Sequence, residues 1–155
     1  MARLHWVPEL DTGIEEIDAQ HKRIVDYINR LYDIRESPSR EAIKDVIEEM
    51  VDYTISHFAF EEGMMENAGY TFSAPHKRVH ELFTRRVGEI KKRFDAGEDV
   101  TDEFHGMLSR WLFNHIRNED HGYINAVKLY QRVTSGVGAE TTKRKGFLAR
   151  LFGGG

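Results

Sequence analysis

Two pairs of side chains able to hold a metal stand four residues apart: His57 with Glu61, and His76 with His80. On a helix that spacing puts both members on one face, so each pair can reach a common point. His21 and His115 complete a set of five imidazoles, and Asp120 follows His115 by five residues. Five residues leave two side chains about 140° out of alignment on an ideal helix, so Asp120 joins the set only if the helix loosens or ends. Gly122 supplies a place for it to end. The chain has no cysteine, which excludes thiolate metal sites, disulfide scaffolds and a cysteine nucleophile. Nitrogen and oxygen must hold any metal.

The ligand types narrow the metal. Five imidazoles and two carboxylates exceed the four ligands of a zinc site, and they are too rich in nitrogen for magnesium or calcium. Two first-row metals fit the count. If Glu61 and Asp120 each bridge and an oxide or hydroxide completes the bridge, the histidines split three and two. The three-histidine ion is then six-coordinate, and its partner keeps one open position, which is what binding a small molecule requires.

The elements that position these residues read as helices. Ile14, Ile17, His21, Ile24, Ile28 and Leu31 recur at steps of three and four, and Ser37 to Ser39 ends that segment. A second helix is expected over about 40–67, closed by Gly69. A third carries His76, His80, Phe83, Val87, Ile90 and Phe94, and the turn is Asp95 to Asp99. The fourth starts at a Thr101 cap and presents Phe104, Leu108, Trp111, Leu112 and His115, and Tyr123, Ile124, Val127 and Tyr130 suggest one more short helix. Pro38 and Pro75 mark helix starts with serines just before them. Four helices joined by short loops run antiparallel to their neighbours. The expected fold is all-α, an up-down-up-down antiparallel four-helix bundle with an N-terminal arm and a short C-terminal helix.

Six polar groups, His21, His57, Glu61, His76, His80 and His115, occupy the apolar stripes of all four helices. One inward histidine is ordinarily a satisfied core residue. An unpartnered buried polar group costs about 1–3 kcal/mol, so a shared ligand explains so many more economically than independent lapses do.

At these residues the chain resembles the bacterial hemerythrins of the single-domain bacteriohemerythrin type. The matching pieces are Asp18-Ala19-Gln20-His21-Lys22, His57-Phe58-Ala59-Phe60-Glu61, His76-Lys77-Arg78-Val79-His80 and His115 through Asp120, with the Trp6 and Asp11-Thr12-Gly13-Ile14 arm. The resemblance covers 1–133 and implies two non-haem iron ions per chain, bridged by oxide or hydroxide, that bind O2 reversibly for storage, transport or delivery. It further implies that His76, His80 and His115 hold the saturated iron, that His21 and His57 hold the iron where O2 enters, and that Glu61 and Asp120 bridge. The alternatives are a di-iron redox enzyme acting on peroxide or nitric oxide, and an O2- or redox-sensing module. Fewer anionic ligands than the four-glutamate di-iron bundles carry favour Fe(II) and hence binding over turnover. Phe58, Trp111, Leu112 and Ile116 lie within one helical turn of ligands and are candidates for the apolar O2 pocket, while Met64 and Met65 are expected to pack. His5, His105 and His121 read as surface or arm residues.

Residues 134–155 are expected to form a flexible linker and a basic tail in which Phe147, Leu148, Leu151 and Phe152 accompany Lys143, Arg144, Lys145 and Arg150. Residues 143–152 could dock on a partner protein or an anionic membrane surface. The last fifteen residues carry +4, which leaves −8 on the rest of a chain whose formal net charge is −4. An acidic body argues against nucleic acid as a partner. With no apolar leader and no stretch long enough to span a bilayer, the expected location is the cytoplasm.

Overall fold

Each amphipathic stripe closes into a helix. In this computed structural model, which describes residues 2–136, the helices are α1 (Glu15–Ile34), α2 (Arg40–Asn67), α3 (Ser73–Asp95), α4 (Thr101–Asn118) and α5 (124–136). Short 3-10 turns at Pro8–Leu10 and Asp120–Tyr123 flank the bundle, and there is no strand among the described residues. α1 packs against α2 and α4, and α2 packs against α3. No helix among the described residues is long and apolar enough to cross a membrane.

Local chemistry sets the boundaries. Ser39, one residue after Pro38, caps α2 by accepting from Ala42 N at 3.2 Å. α2 ends as anticipated at Gly69, whose φ of +66° closes a Schellman turn through Gly69 N to Glu66 O and Tyr70 N to Met65 O. Three expected caps differ. The serine before Pro38, Ser37, does not cap α2, because Pro38 lies outside the helix and Ser39 takes that place. Ser73 lies inside α3 and donates to Tyr70 O, so Pro75 occupies the first turn behind a Phe72 cap. Thr101 is the buried first residue of α4 rather than its cap, and its N–H donates to Asp99 Oδ1. The short C-terminal helix runs on through 136, past the expected start of the linker at 134, with the Thr134 hydroxyl donating to Tyr130 O. The rest of the linker and the 143–152 segment lie outside the described residues.

The main apolar core is built by Ile24, Ile28 and Leu31 of α1, Val46, Ile47 and Met50 of α2, Phe83, Val87 and Phe94 of α3, and Phe104, Leu108 and Leu112 of α4. A second, smaller cluster of Ile14, Ile17, Met65, Tyr123 and Val127 closes one end of the bundle, so α5 and the arm act as its plug. Both Leu4 backbone groups bond the Asn29 side chain, and the Asp18 carboxylate accepts from Thr12 N, Thr12 Oγ1 and Gly13 N, which ties the arm to α1.

The expectation for His105 is corrected. It is 2% exposed, neither ring nitrogen has a hydrogen-bond partner, and its ring stands 5.5 Å from that of Tyr32. His105 precedes Leu108, Leu112 and His115 by three, seven and ten residues, which places it on the inward face of α4. His5 is exposed, and His121 is half-buried.

Candidate metal centre

The antiparallel order sets the starts of α1 and α3 beside the ends of α2 and α4. His21, His57, Glu61, His76, His80, His115 and Asp120 all fall at that end, and each is between 0% and 4% exposed. Asp120 arrives there by the break its spacing required. α4 stops at Asn118, and the 3-10 turn Asp120–Tyr123 swings both Asp120 and Tyr123 into the interior. Gly122 sits where an added Cβ would lie 2.6 Å from the Tyr70 hydroxyl, so glycine lets this turn pack closely.

The donors form two groups that share Glu61. One is Glu61, His76, His80, His115 and Asp120, and the other is His21, His57 and Glu61; within each, the facing atoms lie within 4.8 Å of one another. Asp120 reaches the second group too, its Oδ2 lying 3.0 Å from His21 Nε2. In the larger group His76 Nε2 is 2.8 Å from Glu61 Oε1 and 3.0 Å from Asp120 Oδ1. His80 Nε2 is 3.2 Å from Glu61 Oε1, His115 Nε2 is 3.1 Å from Asp120 Oδ1, and the two Nε2 atoms are 3.0 Å apart. Donors at about 2.1 Å from a six-coordinate ion stand about 3.0 Å from their neighbours at right angles, so these separations match the edges of one coordination octahedron. In the smaller group Glu61 Oε2 lies 3.1 Å from His57 Nε2 and 3.8 Å from His21 Nε2.

His21 Nε2, His76 Nε2, Glu61 Oε1 and both Asp120 oxygens have no hydrogen-bond partner, although their neighbours are close. These atoms converge on a point without forming aligned hydrogen bonds to one another. Buried polar atoms left so cost about 1–3 kcal/mol each, and a cation between them would satisfy all at once. The donor set therefore fits a cation centre.

Charge tells the same story. Burial opposes protonation of His21 and His76, but Asp120 and Glu61 beside them outweigh it and raise both imidazoles to about 9. Burial pushes Glu61 upward, yet the surrounding imidazoles hold it well below the usual carboxylate range. Asp120 is likewise lowered, against burial and the nearby Glu61, by His115 and His21. Burial lowers His57 and, with Glu61 and Asp120 nearby, raises Tyr123. Two carboxylates held ionised in a dry interior are a strong attractor for a multivalent cation.

Around the donors stands a second set of residues that sequence reasoning did not single out. His57 Nδ1 faces Gln20 Oε1 at 2.7 Å and His80 Nδ1 faces Glu62 Oε1 at 3.1 Å. His115 Nδ1 has Glu119 Oε2 at 3.3 Å, close but not aligned as a hydrogen bond, and the Tyr123 hydroxyl donates to Glu61 Oε2 at 3.2 Å. An acceptor at Nδ1 places the ring proton there and leaves the Nε2 lone pair facing the centre. The available signal was adjacency: Gln20 precedes His21, Glu62 follows Glu61, and Glu119 is four residues beyond His115.

Phe58 lies flat on His80, with centroids 3.9 Å apart and planes at 7°, and Trp111 lies flat on His115 at 4.3 Å and 13°. Trp111 also stacks on Phe83 at 3.8 Å. Leu112 and Ile116 are 3% and 0% exposed. Trp6 of the arm stands 6.4 Å from the His21 ring, its indole N–H donating to Asp11 Oδ1 at 2.8 Å. Met65 is fully buried in the end cluster and Met64 packs on it, whereas His121 Nε2 faces Leu10 O at 3.4 Å rather than the donors.

Residues 12–127 match the family described as Hemerythrin HHE cation binding domain. The bacteriohemerythrin of Pseudomonas aeruginosa (strain LESB58) is 62% identical over 128 residues, which is 83% of this chain and 84% of that protein. The bacteriohemerythrin of Stenotrophomonas maltophilia (strain R551-3) is 55% identical over 130 residues, covering 84% and 85%. Among solved structures, a wild-type hemerythrin matches with a TM-score of 0.78 at 31% identity, covering 81% of this chain and 98% of that one.

Proposed function

The chain belongs to the hemerythrin family, and from that premise we propose that it binds O2 reversibly, for storage, transport or delivery, at a centre of two non-haem iron ions. His76, His80 and His115 hold one iron, His21 and His57 hold the other, and Glu61 and Asp120 bridge them together with an oxide or hydroxide. The observation that supports this reading is the arrangement of the buried donors in two groups that share Glu61, with separations close to 3.0 Å around the larger one. Iron bound there would supply a reducible centre able to take a small molecule.

The chain's own residues do the rest. Gln20 and Glu62 orient His57 and His80 by accepting hydrogen bonds from their Nδ1–H groups. Phe58 and Trp111 hold His80 and His115 in plane, and Leu112 and Ile116 keep water and its protons away from bound O2. Five neutral imidazoles against two carboxylates favour the ferrous state, which supports reversible binding over turnover of peroxide or nitric oxide. The test is iron content per chain together with the absorption spectrum of reduced protein as O2 is added and withdrawn. Two irons and a charge-transfer band that comes and goes are expected, and a spectrum that does not respond reversibly overturns the reading.

A further inference from the structure

Between α2 and α3 an apolar cavity of about 130 Å³ runs from the surface inward to α4. Ile55, Gly88 and Lys91 frame its mouth, and Phe58, Phe104 and Leu108 form its floor. Its few polar groups are already engaged. The Thr54 and Thr84 hydroxyls each donate to a carbonyl of their own helix, Met50 O and His80 O, at 2.8 Å, and Lys91 Nζ turns toward Glu48 at 3.9 Å. A water molecule needs two to four polar partners to settle in a cavity; inside this one the two threonine hydroxyl protons are spent on their own helices and Lys91 stands only at the mouth, so the interior favours an apolar occupant. The volume lies well below the roughly 300–1,000 Å³ of pockets that take drug-sized ligands, so the occupant is small.

The inner wall says what such an occupant is for. The Phe58 ring that floors the cavity is the ring lying flat on His80, and it stands 5.9 Å from the His57 ring. We propose that this cavity is a holding site for O2, keeping the gas one aromatic ring away from the donors; the inference rests on the O2-binding reading above.

Xenon is the probe, because it is apolar, monatomic and enters dry cavities of this kind. Gly88→Phe obstructs the mouth from a position where an added Cβ meets nothing within 4 Å, and Val87→Phe fills the interior. By xenon NMR the full chain, with and without iron, is expected to bind xenon saturably, and either variant to bind it about tenfold more weakly or worse. O2 association with the reduced, iron-loaded Gly88→Phe chain is expected to slow several-fold while its ferric absorption spectrum stays unchanged. Absence of a saturable xenon site overturns the proposal, as does full-rate O2 association in a variant that has lost xenon. A chain that takes up xenon but binds no O2 overturns the functional reading, and the cavity's O2 role with it.

Discussion

The Glu62 side chain is 20% exposed and yet spends its carboxylate on His80 Nδ1, which is a costly use of a residue that could simply face water. Removing such an outer partner typically weakens metal binding 10- to 100-fold, so Glu62→Ala should lower iron affinity by about that factor with little change in helix content, as read by competition with a chelator. Ile116 argues from the other side of the centre. It is fully buried next to His115, and Ile116→Thr brings a hydroxyl into the apolar wall, so autoxidation of the oxygenated protein should speed up; an unchanged rate would remove Ile116 from the pocket. His105 is a cost with no return in the centre. Burial lowers its imidazole from the usual value, with the Arg35 guanidinium adding to the effect. A histidine lowered in the fold contributes stability that is present above about pH 6.5, its unfolded value, and is lost as pH falls through the folded one. His105→Leu removes both the unpartnered nitrogens and the titration. It should raise stability by about 1–2 kcal/mol at neutral pH, with the gap in melting temperature from the unsubstituted chain widening below pH 6.5.

Helix ends position the centre as much as helix faces do. α2 must stop soon after Glu61 for the chain to return as α3 with His76 beside it, and Gly69 at φ +66° makes that stop. An added Cβ there meets no neighbour, so Gly69→Ala carries only the backbone cost of the left-handed region, about 1–2 kcal/mol, or about 2–8 °C in the melting temperature of a chain this size. This end was legible in the sequence, because glycine after a long apolar stripe has a local meaning. So were the four stripes, the i, i+4 donor pairs and the break before Asp120, since each follows from helical period alone. The caps were read one or two positions away, because serine beside proline can cap from either side and only the packed chain decides which. Gln20, Glu62 and Glu119 were not legible, since a polar residue at a half-exposed helical position looks the same whether it faces solvent or an imidazole. His105 was legible by its spacing to Leu108 and Leu112, and histidine's usual tolerance of the surface hid it.

At the scale of the whole molecule, two clusters share the work unequally. The large core fills the bundle and reaches the donors from one side through Phe58, Leu112 and Ile116, while beyond the donors the bundle end is closed by the small cluster of Ile14, Ile17, Met65, Tyr123 and Val127, contributed largely by the arm, α5 and the 3-10 turn. Tyr123 belongs to that plug and also donates to Glu61, so the plug and the donors hold each other in place. Iron that binds the folded chain and not the unfolded one stabilises it by about 4 kcal/mol at a thousand times its dissociation constant. Removing it returns seven buried donors to one another, at the end with the least apolar packing to resist opening. Hydrogen exchange should therefore respond unevenly to a chelator. Amides of Asp120–Tyr123 and the following helix should exchange much faster in the iron-free chain, while those of α2 around Val46, Ile47 and Met50, set in the large core, should change far less. An equal loss of protection along the whole bundle would mean that the metal stabilises the fold globally, and that the plug is no separate unit.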